Sequence, residues 1–263
     1  MDHATARAIE RAEGASLEEV SSGRRVWHRR AMATLDARDV RTPSGPIPTR
    51  VYLSDHGGGA TLVLAPGAGA SQAHPFLVAV SSAVADAGVH VVTFDFAYMA
   101  AGKKLPDRMP ALLTTYTAVL EDVRERMGGA VSVGGKSMGA RVAALVRAAE
   151  PELVAYVALG YPLCPPGRPA ERAPREAVLA KVPGPALVVQ GERDAFGGSD
   201  VIAEVLRGLD PEGSRWTLEA VPGADHGFAT PKRGRAADAE PVELRIGRRV
   251  AAFVRRVSGV DGG

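Results

Sequence analysis

Residues 130–141 read AVSVGGKSMGAR. The first half is a short apolar run suited to a buried strand, and helix-compatible residues follow from Met138. The chain therefore turns from strand to helix through Gly135-Lys136-Ser137-Met138-Gly139, a G-x-S-x-G pattern. Such a corner holds its serine in a strained backbone conformation with the hydroxyl exposed. A Cβ at either glycine would collide with the adjoining strand or helix. Ser137 is accordingly the candidate nucleophile. Two rival readings are an idle serine in a glycine-rich turn and a phosphate loop. The second fails because G-x-x-x-x-G-K-[ST] needs a glycine at position 130, which is Ala130.

Outward from this corner, short apolar runs alternate with helix-length segments. The runs are TLVLA (61–65), VHVVTF (89–94), AVSVGG (130–135), LVAYVAL (153–159) and PALVVQG (185–191). They are apolar throughout, without polar alternation, as buried parallel strands covered on both faces require. Between them, Leu112, Tyr116, Val119, Leu120, Val123 and Met127 recur at helical spacing, as do Leu77, Val80 and Val84. Pro241 sits at a plausible first helical turn, and Ile246, Val250, Phe253, Val254 and Val257 form an apolar stripe for a last helix. The fold class is α/β: a mostly parallel, doubly wound sheet with helices on both faces.

Upstream, Val40, Val51 and Leu53 flank a Pro- and Gly-rich connection and predict an antiparallel hairpin at a sheet edge. Residues 1–36 read as a partly mobile N-terminal extension, with a helical stretch around Thr5 to Glu13, and residues 37–263 as one α/β domain. The Pro- and Arg-rich stretch from Gly160 to Pro183 could shape a rim but is too short for a large cap domain.

Bulk properties remove several function classes. A formal charge of +2 gives no field that calls for nucleic acid or an anionic membrane. Arg24, Arg25, Arg29 and Arg30, and Arg248, Arg249, Arg255 and Arg256, lie among apolar or acidic residues and read as solvated faces. Cys164 is the only cysteine, so no intramolecular disulfide can form; a rim or packing role is expected for it. No apolar run approaches the roughly 20 residues that span a bilayer. The N-terminus lacks a signal-peptide core, and Glu10, Glu13, Glu18 and Glu19 argue against a transit peptide, which makes a cytoplasmic location the expectation. The excess of arginine over lysine with abundant Ala, Gly and Val suits a bacterial, GC-rich coding bias. No H-E-x-x-H, grouped histidines or G-x-G-x-x-G points to a metal or a dinucleotide, so no cofactor is expected.

In hydrolases built on such a sheet, the acid and then the base follow the serine along the chain. PALVVQG runs into Glu192-Arg193-Asp194 at the carboxyl end of the sheet, which makes Asp194 the candidate acid and Glu192 its nearest competitor. His226, in the turn-rich segment Pro222-Gly223-Ala224-Asp225-His226-Gly227-Phe228, is the only histidine after Ser137 and the candidate base. Asp225 is a poor acid for it because adjacent side chains diverge. The oxyanion hole is expected from the backbone N–H of Met138 and one N–H of the loop Pro66-Gly67-Ala68-Gly69-Ala70, with Ala68 preferred and Gly69 close behind. His74, near that loop, reads more readily as a helix-start or surface residue than as a substrate contact.

Taken together, LAPGAGAS, VTFDFAYM, GGKSMGAR, LGYPLCPPG, VQGERDAFG and ADHGF resemble an α/β-hydrolase-like family that includes bacterial proteins, testis-expressed relatives and a subunit of the NSL chromatin complex; dienelactone hydrolases are more distantly similar. The resemblance spans residues 61 to about 230. It implies an α/β-hydrolase fold and sites at Ser137, Asp194 and His226, and it places Lys136 and Arg141 in the family pattern without a role. The expected activity is hydrolysis of a small-molecule carboxylic ester or thioester through an acyl-enzyme. The competing expectation is a non-catalytic binding or scaffold module that keeps the fold and uses the surface around Gly160 to Pro183. Self-association into a homo-oligomer is left open.

Overall fold

A computed structural model describes residues 15–19, 25–29, 34–35, 37–55, 59–231 and 240–260. The helix anticipated around Thr5 to Glu13 and most of the 1–36 extension lie outside them. Within that segment, β1 (Ala15–Glu19) and β2 (Arg25–Arg29) form a separate antiparallel pair.

The remaining described strands form one nine-stranded sheet. They are β3 (Thr34–Leu35), β4 (Asp39–Thr42), β5 (Gly45–Tyr52), β6 (Ala60–Ala65), β7 (His90–Phe94), β8 (Ala130–Lys136), β9 (Tyr156–Leu159), β10 (Ala186–Gly191) and β11 (Trp216–Val221). The order is β11-β10-β9-β8-β6-β7-β5-β3, and β4 also pairs with β5. From β11 to β7 every pairing is parallel. The anticipated hairpin is β4–β5, which joins the sheet antiparallel to β7, while Thr34 and Leu35 pair with Tyr52 and Val51.

The helices are α1 (Pro75–Asp86), α2 (Ala97–Ala100), α3 (Met109–Met127), α4 (Met138–Ala149), α5 (Ala173–Ala180), α6 (Ser199–Leu209) and α7 (Val242–Ser258). Strand alternation divides the core into two layers. Leu62, Leu64 and Val91 face a cluster closed by α1 and α7, with Phe76, Val80, Ile246 and Val250. Val63, Ala65, Val92 and Phe94 face the opposite cluster with α3, α4 and α6, including Tyr116, Val119, Val142 and Ile202. Burying both faces of one strand removes the polar alternation, which is why these runs read as unbroken apolar stretches. Pro241 precedes the last helix as its cap residue.

After β6 the chain builds β7 on one side and β8 on the other. Open α/β sheets form their ligand crevice at such a switch, outside the carboxyl ends of the strands. Here those ends are Ala65 and Lys136, so the loop at 66–70 and the serine corner meet at that point.

Candidate active site

Ser137 occupies the corner between β8 and α4 with φ 53° and ψ −112°, left-handed backbone that costs a non-glycine residue energy. Its neighbours explain how that corner closes. A Cβ on Gly135 would lie 2.4 Å from the Gly139 carbonyl carbon, and one on Gly139 would lie 2.5 Å from the Pro66 carbonyl oxygen. The two glycines let α4 start directly against β6 and β8, and the helix holds the serine at its N-terminus.

Three loops bring the predicted acid, base and nucleophile together. His226 Nε2 lies 2.8 Å from Ser137 Oγ, and His226 Nδ1 lies 2.7 Å from Asp194 Oδ2. A carboxylate only accepts, so Nδ1 carries the proton and Nε2 presents its lone pair to the serine hydroxyl. The Asp194 side chain is fully buried and is held from behind: Gln190 Nε2 donates to Oδ2 at 2.9 Å and the Phe196 N–H donates to Oδ1 at 2.8 Å. Gln190 is itself fixed by the Tyr161 N–H, which donates to its Oε1 at 2.8 Å, and by its own donation to the Gly197 carbonyl at 2.7 Å. The Phe196 ring leans on the imidazole with centroids 4.3 Å apart.

The two other acids of these loops are engaged elsewhere. Glu192 Oε2 accepts the Gly223 N–H at 2.7 Å, tying the loop after β10 to the loop after β11. Asp225 Oδ1 accepts the N–H groups of Gly227 and Ala229 at 2.8 and 2.9 Å, so it shapes the turn that carries His226.

Beside the serine lies an open cavity of about 320 Å³, lined by Gly67, Ala68, Ala70, Phe76, Leu77 and Phe196 together with Lys136, Ser137 and His226. The 66–70 loop runs against the nucleophile, for a Cβ at Gly67 would touch Ser137 Cβ at 3.6 Å. Of the two loop donors anticipated, Gly69 is committed: its N–H donates to Tyr98 Oη at 3.0 Å. That correction leaves Ala68, an exposed residue of the cavity lining whose N–H has no acceptor among the described residues, and the first helical N–H at Met138. His74 precedes α1, as the helix-start reading expects, and it is exposed and lines the cavity. Cys164 is buried and packs against the Phe196 carbonyl. Gly160 to Pro183 contributes no cavity-lining residue among the described ones; Gly160 instead passes beneath the acid and base. No grouping of three or more metal-ligating side chains occurs among the described residues, and no helix there is long and apolar enough to cross a membrane.

Residues 58–255 match the family described as Alpha/beta hydrolase domain. The chain belongs to this family. Solved structures with the same architecture include a serine hydrolase without a lid from Xanthomonas campestris (20% identity, TM-score 0.60, covering 87% of this chain and 94% of that one). Est1E from Butyrivibrio proteoclasticus, with ferulic acid bound, is 16% identical with a TM-score of 0.63, over 85% of this chain and 100% of its own. A dienelactone hydrolase from Anabaena variabilis is 18% identical with a TM-score of 0.64, over 85% and 97%. At these identities the likeness establishes the α/β-hydrolase fold. No curated protein matches the chain.

Gln190, Phe196, Tyr98 and the function of Lys136 escape sequence reasoning. Gln190 alone left a trace, as the one polar side chain in the apolar run that ends at the acid's loop.

Proposed function

We propose that the protein is a serine hydrolase that cleaves a small carboxylic ester or thioester through an acyl-enzyme. The observation that carries this reading is the continuous contact from Asp194 through His226 to Ser137 beside an open cavity. In the proposed reaction His226 Nε2 takes the Ser137 proton as Oγ attacks the acyl carbon, and Asp194 holds the imidazole and offsets its charge. The N–H groups of Met138 and Ala68 receive the oxyanion, where fixed donors contribute most because the charge develops only in the transition state. His226 then hands the proton to the leaving oxygen or sulfur, and water activated by the same imidazole releases the acid.

The cavity is bordered largely by small and apolar groups and lies open, which suits a compact acyl group. We place the enzyme in the cytoplasm. A fluorophosphonate probe tests the reading without a substrate guess. Covalent labelling that disappears in Ser137→Ala is expected. An unlabelled wild-type protein would sink the hydrolase reading and leave the binding module in front.

A further inference from the structure

We propose that Lys136 is a positioning residue that clamps the histidine loop to the end of the nucleophile's own strand. The inference rests on the hydrolase reading for its catalytic meaning, though the clamp itself is a matter of geometry. Lys136 immediately precedes Ser137 and ends β8. A lysine at a strand end ordinarily extends into water, because an ammonium loses much hydration on burial. This one turns inward, and its Nζ donates a 2.7 Å hydrogen bond to the backbone carbonyl of His226, 90 residues away in the chain.

Its surroundings are arranged for that path. The ammonium stands 5.4 Å from the centroid of the Phe228 ring, which stacks on Phe76 at 5.1 Å. Gly160 leaves the corridor open, since a Cβ there would lie 3.0 Å from Nζ. Among the described residues no carboxylate pairs directly with Nζ. Burial is the largest influence and brings the ammonium down to about 8, while Asp194 and Asp225 favour its charge from a distance.

Apart from the imidazole itself, the other ties of this loop run within it or to the loop after β10, where the Arg193 N–H donates to the Ala224 carbonyl at 2.8 Å. Asp225 binds the loop to itself, and Glu192 binds Gly223 to the loop after β10. Among the described residues, only Lys136 joins the backbone of His226 to the strand that presents the serine. Moving the backbone of His226 away from the serine corner therefore requires breaking a charge-assisted bond. The energetic cost of burying the ammonium is retained where it fixes the 2.8 Å contact between Nε2 and Oγ.

The test compares wild type with Lys136→Met, which keeps an unbranched stem and removes the donor. Hydrogen exchange over residues 222–230 should accelerate by about tenfold or more in the variant while 130–135 stays protected. Fluorophosphonate labelling and kcat on the uncharged ester p-nitrophenyl acetate should fall roughly 10- to 100-fold with KM nearly unchanged, the signature of a misplaced base. Unchanged exchange, or a raised KM with kcat intact, overturns the proposal and makes Lys136 a substrate contact or a bystander. If Lys136→Met fails to fold, Lys136→Gln, whose shorter side chain does not reach the His226 carbonyl, carries the same comparison of exchange over 222–230 and of kcat against KM. Wild-type protein that resists labelling would defeat the hydrolase reading, while the exchange result would still judge the clamp.

Discussion

Gln190 donates from Nε2 to Asp194 Oδ2 at 2.9 Å, and its Oε1 accepts the N–H of Tyr161 at 2.8 Å, with the whole side chain buried. Gln190→Leu is close in size but leaves the Tyr161 N–H without its acceptor and removes one of the two donors on Oδ2 of Asp194. Unfolding in urea should show a loss of about 1–3 kcal/mol. The esterase rate should drop more than stability alone explains, because a carboxylate free to rotate no longer aims the imidazole. A variant with wild-type kcat would show that Asp194 is held adequately by the Phe196 N–H alone.

Ser137→Ala removes one oxygen and keeps the corner, so the melting transition should move little, within about 1 kcal/mol. Ester cleavage should fall on the order of 10⁴-fold or more, and His226→Ala should cost about as much as both changes together, since the groups act as a unit. Asp194→Asn should hurt somewhat less, because the acid orients the base without bonding to substrate. A preparation whose rate survives Ser137→Ala would cleave esters by another route.

Gly139→Ala tests the serine corner itself. The added carbon would press on the carbonyl oxygens of Pro66 and Ala65, at 2.5 and 2.6 Å, both backbone atoms that cannot swing aside. We expect a loss of roughly 3 kcal/mol or more, measured by denaturant unfolding or by failure to recover folded protein. Near-wild-type stability would mean that α4 can slide on β6.

The depressed ammonium of Lys136 gives stability a pH dependence of defined sign. Its folded value of about 8 lies below the ordinary 10.5, so between these limits the unfolded chain binds more protons than the native one. Stability of the wild type should rise, relative to Lys136→Met, as pH climbs through that window. Below about 8 both states are protonated and the difference should level off. Parallel stability curves for the two proteins across the window would contradict the burial assigned to this side chain.

The strands are legible in the sequence because burial on both faces is written into each run: Leu62 and Leu64 serve one core cluster, Val63 and Ala65 the other. The G-x-S-x-G corner is legible for the same kind of reason, since Gly135 and Gly139 are dictated by backbone contacts. The order of Ser137, Asp194 and His226 then follows from the sheet. What stays hidden depends on partners distant in the chain. Tyr98 claims the N–H of Gly69 across 29 residues, and nothing local in Gly67-Ala68-Gly69 distinguishes the engaged donor from the free one. Lys136 occupies the variable place of its motif, and only the loop arriving after β11 shows where its side chain is spent. Glu192 and Asp194 are separable only once Gly223 is seen to take the first.

The apolar cluster beneath the histidine loop holds Val221, Ala224 and Phe228 against Val242, Ile246 and Val250 of α7. A ribosome delivers these parts in a fixed sequence, with the serine corner made early, the base some ninety residues later and the helix that seats the base later still. Until α7 has been synthesised, the loop bearing His226 rests on Phe76 of α1 without the Val242, Ile246 and Val250 side of its cluster, so the seating of that loop is completed last.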